Sequence, residues 1–327
     1  MRTSTDDMAT SSTPHFIKHN FFILTITLII IWFTFKLLQL LKICLVYTVA
    51  KWCFSKRKSL RKAGEWAIVT GASSGIGEAY AEELAKDGLN ILLISNDESQ
   101  LRLVSERLST DYHVETRIVV ADFTQNNVYD VIRPAIQQLS TIACLVNNVG
   151  MGLPIGPFVG GTQSPNEQSI HDIIHCNVLS TAMMTQIVLP KMLSQKGSNP
   201  GIINIGSFTG LKVLPYASMY AATKAFIIQL SRCISAEKYS RDVIVQTICP
   251  LVVSTKLSFC KPTSFFVPTA QVFAKSALDM FGVQQQTTGY MRHEFKGFLY
   301  TLMPTSLWVK FLQICFVPSM KESTKSE

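Results

Sequence analysis

From Glu65 onward, short β-branched runs alternate with helical stretches, and this alternation predicts an α/β fold: a doubly wound parallel sheet with helices on both faces. Two further observations support it. The run Trp66-Ala67-Ile68-Val69-Thr70 passes straight into the glycine cluster Gly71-Ala72-Ser73-Ser74-Gly75-Ile76-Gly77 and then into a helix, the order a dinucleotide-binding turn requires. Outside the alternation, Phe21 to Phe35 is fifteen residues without a charge, which adds an N-terminal transmembrane helix.

At 327 residues and 47% hydrophobic, the chain can bury one large core and still extend at both ends. Met1 to Pro14 is polar and Ser/Thr-rich without a period, so residues 1–15 read as a disordered tail. Residues 16–52 form the expected membrane anchor. Fifteen helical residues reach only ~22 Å against a hydrocarbon core of ~30 Å, so the span must extend to Leu41 with Lys36 snorkelling toward an interface. A signal peptide is the alternative; the mixed charge before the segment, its length and the lack of a small-residue cleavage site favour a retained anchor. Of the net charge of +8, much lies in one block after the span, Lys51, Lys56, Arg57, Lys58, Arg61 and Lys62. That block marks the cytosolic side of a membrane rather than a nucleic-acid surface. The eight cysteines are scattered singly, which predicts reduced thiols and no zinc site.

The catalytic domain is expected over residues 63–292. After the glycine turn, Glu78 to Leu89 reads as a helix, Asn90 to Ser95 as the second strand and Gln100 to Leu108 as a helix. Thr116 to Ala121 is the third strand, ending at Asp122, and Val128 to Leu139 with Ile142 to Val146 repeat the unit. The glycines permit close backbone approach, so a pyrophosphate would lie over the free N–H groups of the first helix.

The stretch Ser207 to Lys224 carries the chemistry. Tyr220 and Lys224 are four residues apart in an alanine-rich run, one face of a helix. Ser207 follows the apolar run Gly201 to Gly206, a buried strand that ends at the sheet edge. A phenol titrates near ~10, and a fixed cation beside it is expected to favour phenolate. Tyr220 would give a proton to a substrate carbonyl oxygen held by Ser207, while hydride comes from a nicotinamide. Taken alone, a Tyr and a Lys one turn apart are common on solvated faces; the glycine turn is the second signal.

Thr70 to Gly77, then Asn147-Asn148-Val149-Gly150, then Ser207, Tyr220 and Lys224 in this order resemble the short-chain dehydrogenase/reductase family over roughly Glu65 to Leu257, which implies a Rossmann-type sheet. The resemblance implies Asn177 as the fourth catalytic residue, holding a water relay to the lysine, and Asn147 as a brace of the central sheet. It implies cofactor contacts at Gly71, Ser73, Ser74, Gly75, Ile76, Gly77, Asn96, Asp122 (toward adenine), Asn148, Tyr220 and Lys224. Pro250, Val253 and Thr255 would grip the nicotinamide carboxamide. The segments around Met151, Met184 to Pro190 and Val253 to Leu257 are similar to the membrane-bound 17β-hydroxysteroid dehydrogenases and very-long-chain 3-oxoacyl-CoA reductases. That branch implies the endoplasmic reticulum membrane with the catalytic domain facing the cytosol, a lipophilic ketone (a steroid 17-ketone or a 3-oxoacyl-CoA), and possible homodimerisation through two long helices. Two other functions stay open, a catalytically weak dinucleotide-binding scaffold at the membrane and a retinol-type alcohol dehydrogenase.

The branch carries an arginine after the second strand, facing the extra phosphate of NADP, where this chain has Asn96 and then Asp97. An anion there should repel a 2′-phosphate and bond a ribose hydroxyl instead, so NADP(H) is favoured by resemblance and NAD(H) remains an alternative. Leu251 replaces the glycine usual after Pro250 and is expected to stiffen that turn; Gly206 stands where the branch prefers serine. His171-Asp172-Ile173-Ile174-His175 mimics a zinc-protease helix but lacks the glutamate and a third ligand, so no metal is expected. Tyr216, one turn before Tyr220, could touch substrate, although such an aromatic more often packs in a core or rim. The loop Gly150 to Pro165 should border the nicotinamide pocket, and the greasy run Ser258 to Pro268 suits an apolar ligand. Residues 293–327 form an apolar extension with a polar tail; Lys296, Pro304 and Lys310 interrupt Phe295 to Val317, which favours an interfacial helix over a second crossing.

Overall fold

The computed structural model describes residues 13–195, 199–237, 242–258, 260 and 265–323, with side chains between residues 18 and 314. The expected tail therefore lies outside the described residues up to position 12, as do 259 and 261–264 of the greasy run and the last four residues.

The chain divides into two units, residues 1–46 and 47–327. The first is the helix α1, Thr13–Leu45. Its apolar side chains face outward, Phe21 at 70% and Leu37 at 67% exposure, so nothing within the unit buries them. Thirty-three residues reach about 50 Å, and the helix is long and apolar enough to cross a membrane. Thr25 and Thr27 donate their hydroxyls to the Phe21 and Ile23 carbonyls four residues back, which hides polar groups that lipid could not satisfy.

The second unit opens with the short helices α2 (Lys51–Phe54) and α3 (Leu60–Ala63), then the sheet and its crossovers. In order these are β1 (Trp66–Thr70), α4 (Gly75–Lys86), β2 (Asn90–Ser95), α5 (Glu98–Tyr112), β3 (Thr116–Val120), α6 (Tyr129–Gln137) and β4 (Ile142–Asn147). There follow α7 (Glu167–Ile173), a π-helical turn (Ile174–Leu179), α8 (Ser180–Ser194), β5 (Gly201–Ile205), α9 (Ser218–Ser235), β6 (Ile244–Ile248), α10 (Ala270–Asp279) and β7 (Gln286–Thr287). The helices α11 (Met291–Leu302) and α12 (Thr305–Ser323) end the chain, separated at Pro304.

All strands pair in parallel in the order β3-β2-β1-β4-β5-β6-β7. The order reverses direction between β1 and β4, and a crevice opens at such a switch point, beyond the carboxyl ends of the strands. Both sheet faces are covered, as the period of two in the strands demands. Ala67, Val69, Ile91 and Leu93 face a core with Tyr80, Leu84 and Phe273, whereas Trp66, Ile68, Leu92 and Ile94 face one with Ile132, Met184 and Val188. The expected doubly wound sheet is thus present. Its first crossover helix begins at Gly75 rather than Glu78, because the helix's first turn is built from the glycine cluster itself.

Candidate active site

The dinucleotide seat starts at the end of β1. Thr70 Oγ1 accepts the N–H groups of Asn148 and Val149, both at 3.0 Å, and Asn148 Nδ2 returns bonds to the carbonyls of Thr70 and Gly71. The end of β4 is thereby stitched to the glycine turn. Gly77 has no room for a side chain: a Cβ there would collide with the Gly71 carbonyl and Asn148 Nδ2. That contact lets α4 enter directly under the turn, with its unpaired N–H groups facing the crevice.

Above the turn lies a cavity of about 410 Å³, lined by Gly71, Ser73, Ser74, Gly75, Ile76, Asn96, Asp122, Asn148 and Thr255 among others. Nine residues expected to hold cofactor therefore line one cavity. Thr255 stands over Gly75, where an added Cβ would meet its Cγ2 at 3.2 Å. Pro250 and Val253 support it from behind: the Pro250 carbonyl accepts Phe208 N–H at 2.9 Å, and Val253 O accepts Ser258 Oγ–H at 2.7 Å. A crevice of mixed polar and apolar lining at a switch point, with a helix N-terminus below and no side chain at Gly77, fits a bound dinucleotide.

The catalytic side chains adjoin this cavity at Gly150, where a Cβ would stand 3.3 Å from both Asn177 Oδ1 and Lys224 Nζ. Asn177, in the π-helical turn, accepts Met151 N–H at 2.8 Å and donates to Met151 O and Thr223 Oγ1 at 2.9 and 3.0 Å. It clamps the start of the loop after β4 to α9. Behind it, Asn147 Nδ2 donates to Thr185 and Asn204, and Asn204 donates to Ser231, a buried ladder across β4, β5 and α9. Gly210 lets the turn after Ser207 press on the α9 backbone, since a Cβ there would lie 2.6 Å from the Lys224 carbonyl carbon.

Tyr220 and Lys224 share a face of α9, with Nζ 5.7 Å from the phenol ring centroid. Lys224 is 4% exposed and donates to Ile205 O at 3.0 Å; burial lowers its pKa to about 8. Tyr220 departs from the sequence expectation. Burial pushes its phenol above the ordinary value, and the Ser207 hydroxyl only partly offsets this. The penalty for taking phenolate out of water is the larger effect. Ser207 Oγ accepts both Thr209 N–H (3.2 Å) and Thr209 Oγ1–H (2.9 Å), which leaves its own proton for the phenol or a substrate oxygen.

Three other residues make bonds that the sequence did not indicate. Asp97 caps α5 through one carboxylate oxygen: Oδ1 accepts Gln100 N–H at 3.0 Å and Ser99 Oγ–H at 2.7 Å. Asp122 likewise bonds within its own turn, to Thr124 N–H and Oγ1–H, while lining the cavity. Tyr216 is not on the helix; it precedes α9 with φ of 68°, and its carbonyl accepts Gly156 N–H. His171 and His175 have no third ligand beside them among the described residues. Sequence reasoning assigned no role to Lys256, which lines the cavity, or to His293, whose Nδ1 accepts Leu251 N–H at 3.3 Å. A lone histidine 42 residues from its partner leaves no local signal.

A family profile described as short chain dehydrogenase matches residues 65–261. Very-long-chain 3-oxoacyl-CoA reductase of Mus musculus is 38% identical over 80% of this chain and 83% of its own length. Inactive hydroxysteroid dehydrogenase-like protein 1 of Pongo abelii is 37% identical over 78% and 77%. Among solved structures, a short-chain dehydrogenase from Sphingobium yanoikuyae in complex with NADPH superposes with a TM-score of 0.61 at 27% identity, covering 68% of this chain and 86% of that one. A 7β-hydroxysteroid dehydrogenase shares the fold at a TM-score of 0.69 and 21% identity, over 77% and 98%. The glycine turn, the Ser207-Tyr220-Lys224 constellation and these matches agree: the chain belongs to the short-chain dehydrogenase/reductase family of oxidoreductases.

Proposed function

We propose that the protein is a membrane-anchored NADP(H)-dependent reductase of a lipophilic ketone, a 3-oxoacyl-CoA in the first place, held in the endoplasmic reticulum membrane with its catalytic unit in the cytosol. The observation that carries this reading is the half-buried Tyr220 beside the buried Lys224 and Ser207, set against Gly150 at the edge of the cavity over the glycine turn. The reductase relatives support the acyl-CoA class, and the basic block after the apolar helix supports the cytosolic orientation.

The nicotinamide, when bound, supplies the hydride. Every other task falls to the chain's own residues. Ser207, with Thr209 occupying its lone pairs, donates its proton to the carbonyl oxygen and fixes the ketone. Tyr220 stays protonated at neutral pH because burial raises its pKa, which suits an acid that must give a proton away. As that proton leaves, negative charge grows on the phenol oxygen. The Lys224 ammonium, beside the ring and out of water, stabilises charge that exists only then. The Asn177 clamp on Met151 and Thr223 keeps the nicotinamide side and α9 in register.

NADP(H) rather than NAD(H) is supported by the likeness to a short-chain dehydrogenase in complex with NADPH. A second reading, a dinucleotide-binding protein without turnover, is favoured by the likeness to a relative named inactive. One experiment separates them. Microsomes containing the protein are assayed with 3-oxoacyl-CoA, estrone and androstenedione, each with NADPH and NADH, for wild type and Tyr220→Phe. The expected result is NADPH-dependent reduction of 3-oxoacyl-CoA that Tyr220→Phe removes by at least ~100-fold, with nucleotide affinity unchanged. Equal turnover in the variant would overturn the acid assignment, and no turnover on any ketone would favour the second reading.

A further inference from the structure

We infer that Lys256 is the residue that reads the adenosine 2′-phosphate of NADP(H), in place of the arginine missing after β2. The inference rests on the dinucleotide reading above and deepens it.

Four observations lead there. First, the position directly after β2 is Asn96, a neutral side chain that lines the cavity and cannot balance a phosphate dianion. Second, among the described residues lining that cavity Lys256 is the only base and Asp122 the only acid. Lys256 enters from the segment after β6, across the crevice from β2, because Thr255 beside it closes over Gly75. Third, Lys256 is exposed and forms no ion pair within 4 Å among the described residues. Fourth, its field reaches the first residues of α5. The Asp97 carboxylate is held below its ordinary range by Gln100 N–H and the Ser99 hydroxyl, and beyond these by the charge of Lys256.

The chemistry at that end of the cavity is otherwise suited to phosphate. The hydroxyls of Ser73 and Ser95 lie 2.9 Å apart, one on the glycine turn and one at the last position of β2, and either can turn its proton outward. Asp97, the one anion whose sequence position threatens a 2′-phosphate, has its oxygen turned onto the α5 N-terminus. A lysine suits the gap because its ammonium is a point charge on a flexible four-carbon stem, able to reach a phosphate without the planar geometry that arginine demands. The ribose hydroxyl of NAD(H) would receive no comparable gain. Selectivity therefore comes from the far wall of the crevice rather than from the strand where the family usually places it.

Equilibrium binding tests the assignment without relying on turnover. Full-length protein in detergent micelles is titrated with NADPH and with NADH, following nucleotide fluorescence, for wild type, Lys256→Ala, Lys256→Arg and the double variant Lys256→Ala/Asn96→Arg. Lys256→Ala should raise the Kd for NADPH about tenfold, equivalent to about 1.4 kcal/mol, and leave that for NADH within about twofold. Lys256→Arg should stay near wild type, and Asn96→Arg should restore NADPH affinity in the alanine background. Raising salt from 50 to 200 mM should weaken NADPH more than NADH in wild type and equally in Lys256→Ala. If Lys256→Ala weakens both nucleotides alike, the ammonium serves the shared pyrophosphate and the inference is wrong; if it weakens neither, Lys256 faces solvent and the inference is wrong again. Wild-type protein that binds neither nucleotide would instead sink the dinucleotide reading itself.

Discussion

Lys224 carries a charge that folding has to take out of water, and replacing it should stabilise the protein while destroying its function. Its side chain is 4% exposed, bonds only the Ile205 carbonyl at 3.0 Å, and has no carboxylate beside it among the described residues. Burial moves its pKa from 10.5 to about 8. At about 1.36 kcal/mol per unit, the charged form costs the folded state about 3 kcal/mol. Because the folded pKa of this base is depressed, below pH 8 both states hold the proton and the whole penalty is present. Between about pH 8 and 10.5 the unfolded chain binds more protons than the folded one, so stability rises with pH and the penalty fades. Lys224→Met removes the charge and leaves Ile205 O unpaired, a loss of about 1 kcal/mol, so the net gain at pH 7 is about 2 kcal/mol. Urea unfolding of full-length apo protein in detergent, read by tryptophan fluorescence at pH 7 and pH 9.5, measures it. The variant should win at pH 7 by a margin that shrinks by at least half at pH 9.5, while ketone reduction falls to background. A variant less stable at pH 7, or a gain that ignores pH, would refute the claim that the site holds an uncompensated cation.

Arg57 anchors the stretch before β1 to the catalytic unit, with Glu83 at 2.8 Å, Asp87 at 2.7 Å and Asp279 at 2.9 Å. Arg57→Ala removes one partner from each of three carboxylates. Asp87 and Asp279 keep some solvent, and Lys86 and Lys51 still pair with Glu83 and Asp279, so the expected loss is about 2 kcal/mol rather than the full value for a buried ion pair; unchanged thermal midpoints would contradict it. The cofactor preference set by Lys256 should also appear in kinetics, as a rise in KM for NADPH in Lys256→Ala with kcat on saturating NADPH nearly preserved; a fall in kcat alone would place Lys256 with the chemistry instead.

Much of this site was legible because its signals are local. The strand, glycine turn and helix from Trp66 to Lys86 are contiguous, and the Tyr220-Lys224 spacing is one helical turn, so both survive any tertiary detail. What sequence could not show depends on which way a side chain turns or how deeply it sinks. Asp97 looks like an anion in the ribose site until its carboxylate is seen to cap α5, a competing local bond that any Asp before a helix can choose. Tyr220 looks cation-tuned until burial is counted, and burial depends on tertiary packing rather than on spacing along the chain. Tyr216 falls at helical spacing from Tyr220, yet the helix starts after it. Lys256 and His293 act across segments far apart in the chain, where no spacing rule applies.

The substitution of Leu251 for glycine illustrates why a departure from a family pattern need not disable a site. A glycine after Pro250 would be needed if the backbone there took a positive φ, but the described non-glycine residues with positive φ are His113 and Tyr216, not Leu251. The turn is made in an ordinary conformation, and its real requirement is a partner for the Leu251 N–H as the chain leaves the sheet. His293 meets it. The imidazole is fully buried between Phe273 and Tyr290, accepts that N–H through Nδ1, and donates through Nε2 to the Phe266 carbonyl at 3.1 Å, which fixes its neutral tautomer. Burial lowers its pKa to about 4, so the ring remains an acceptor at any pH where the enzyme would work. The chain leaving β6 at Leu251 is therefore held from α11, in a backbone conformation that does not require glycine.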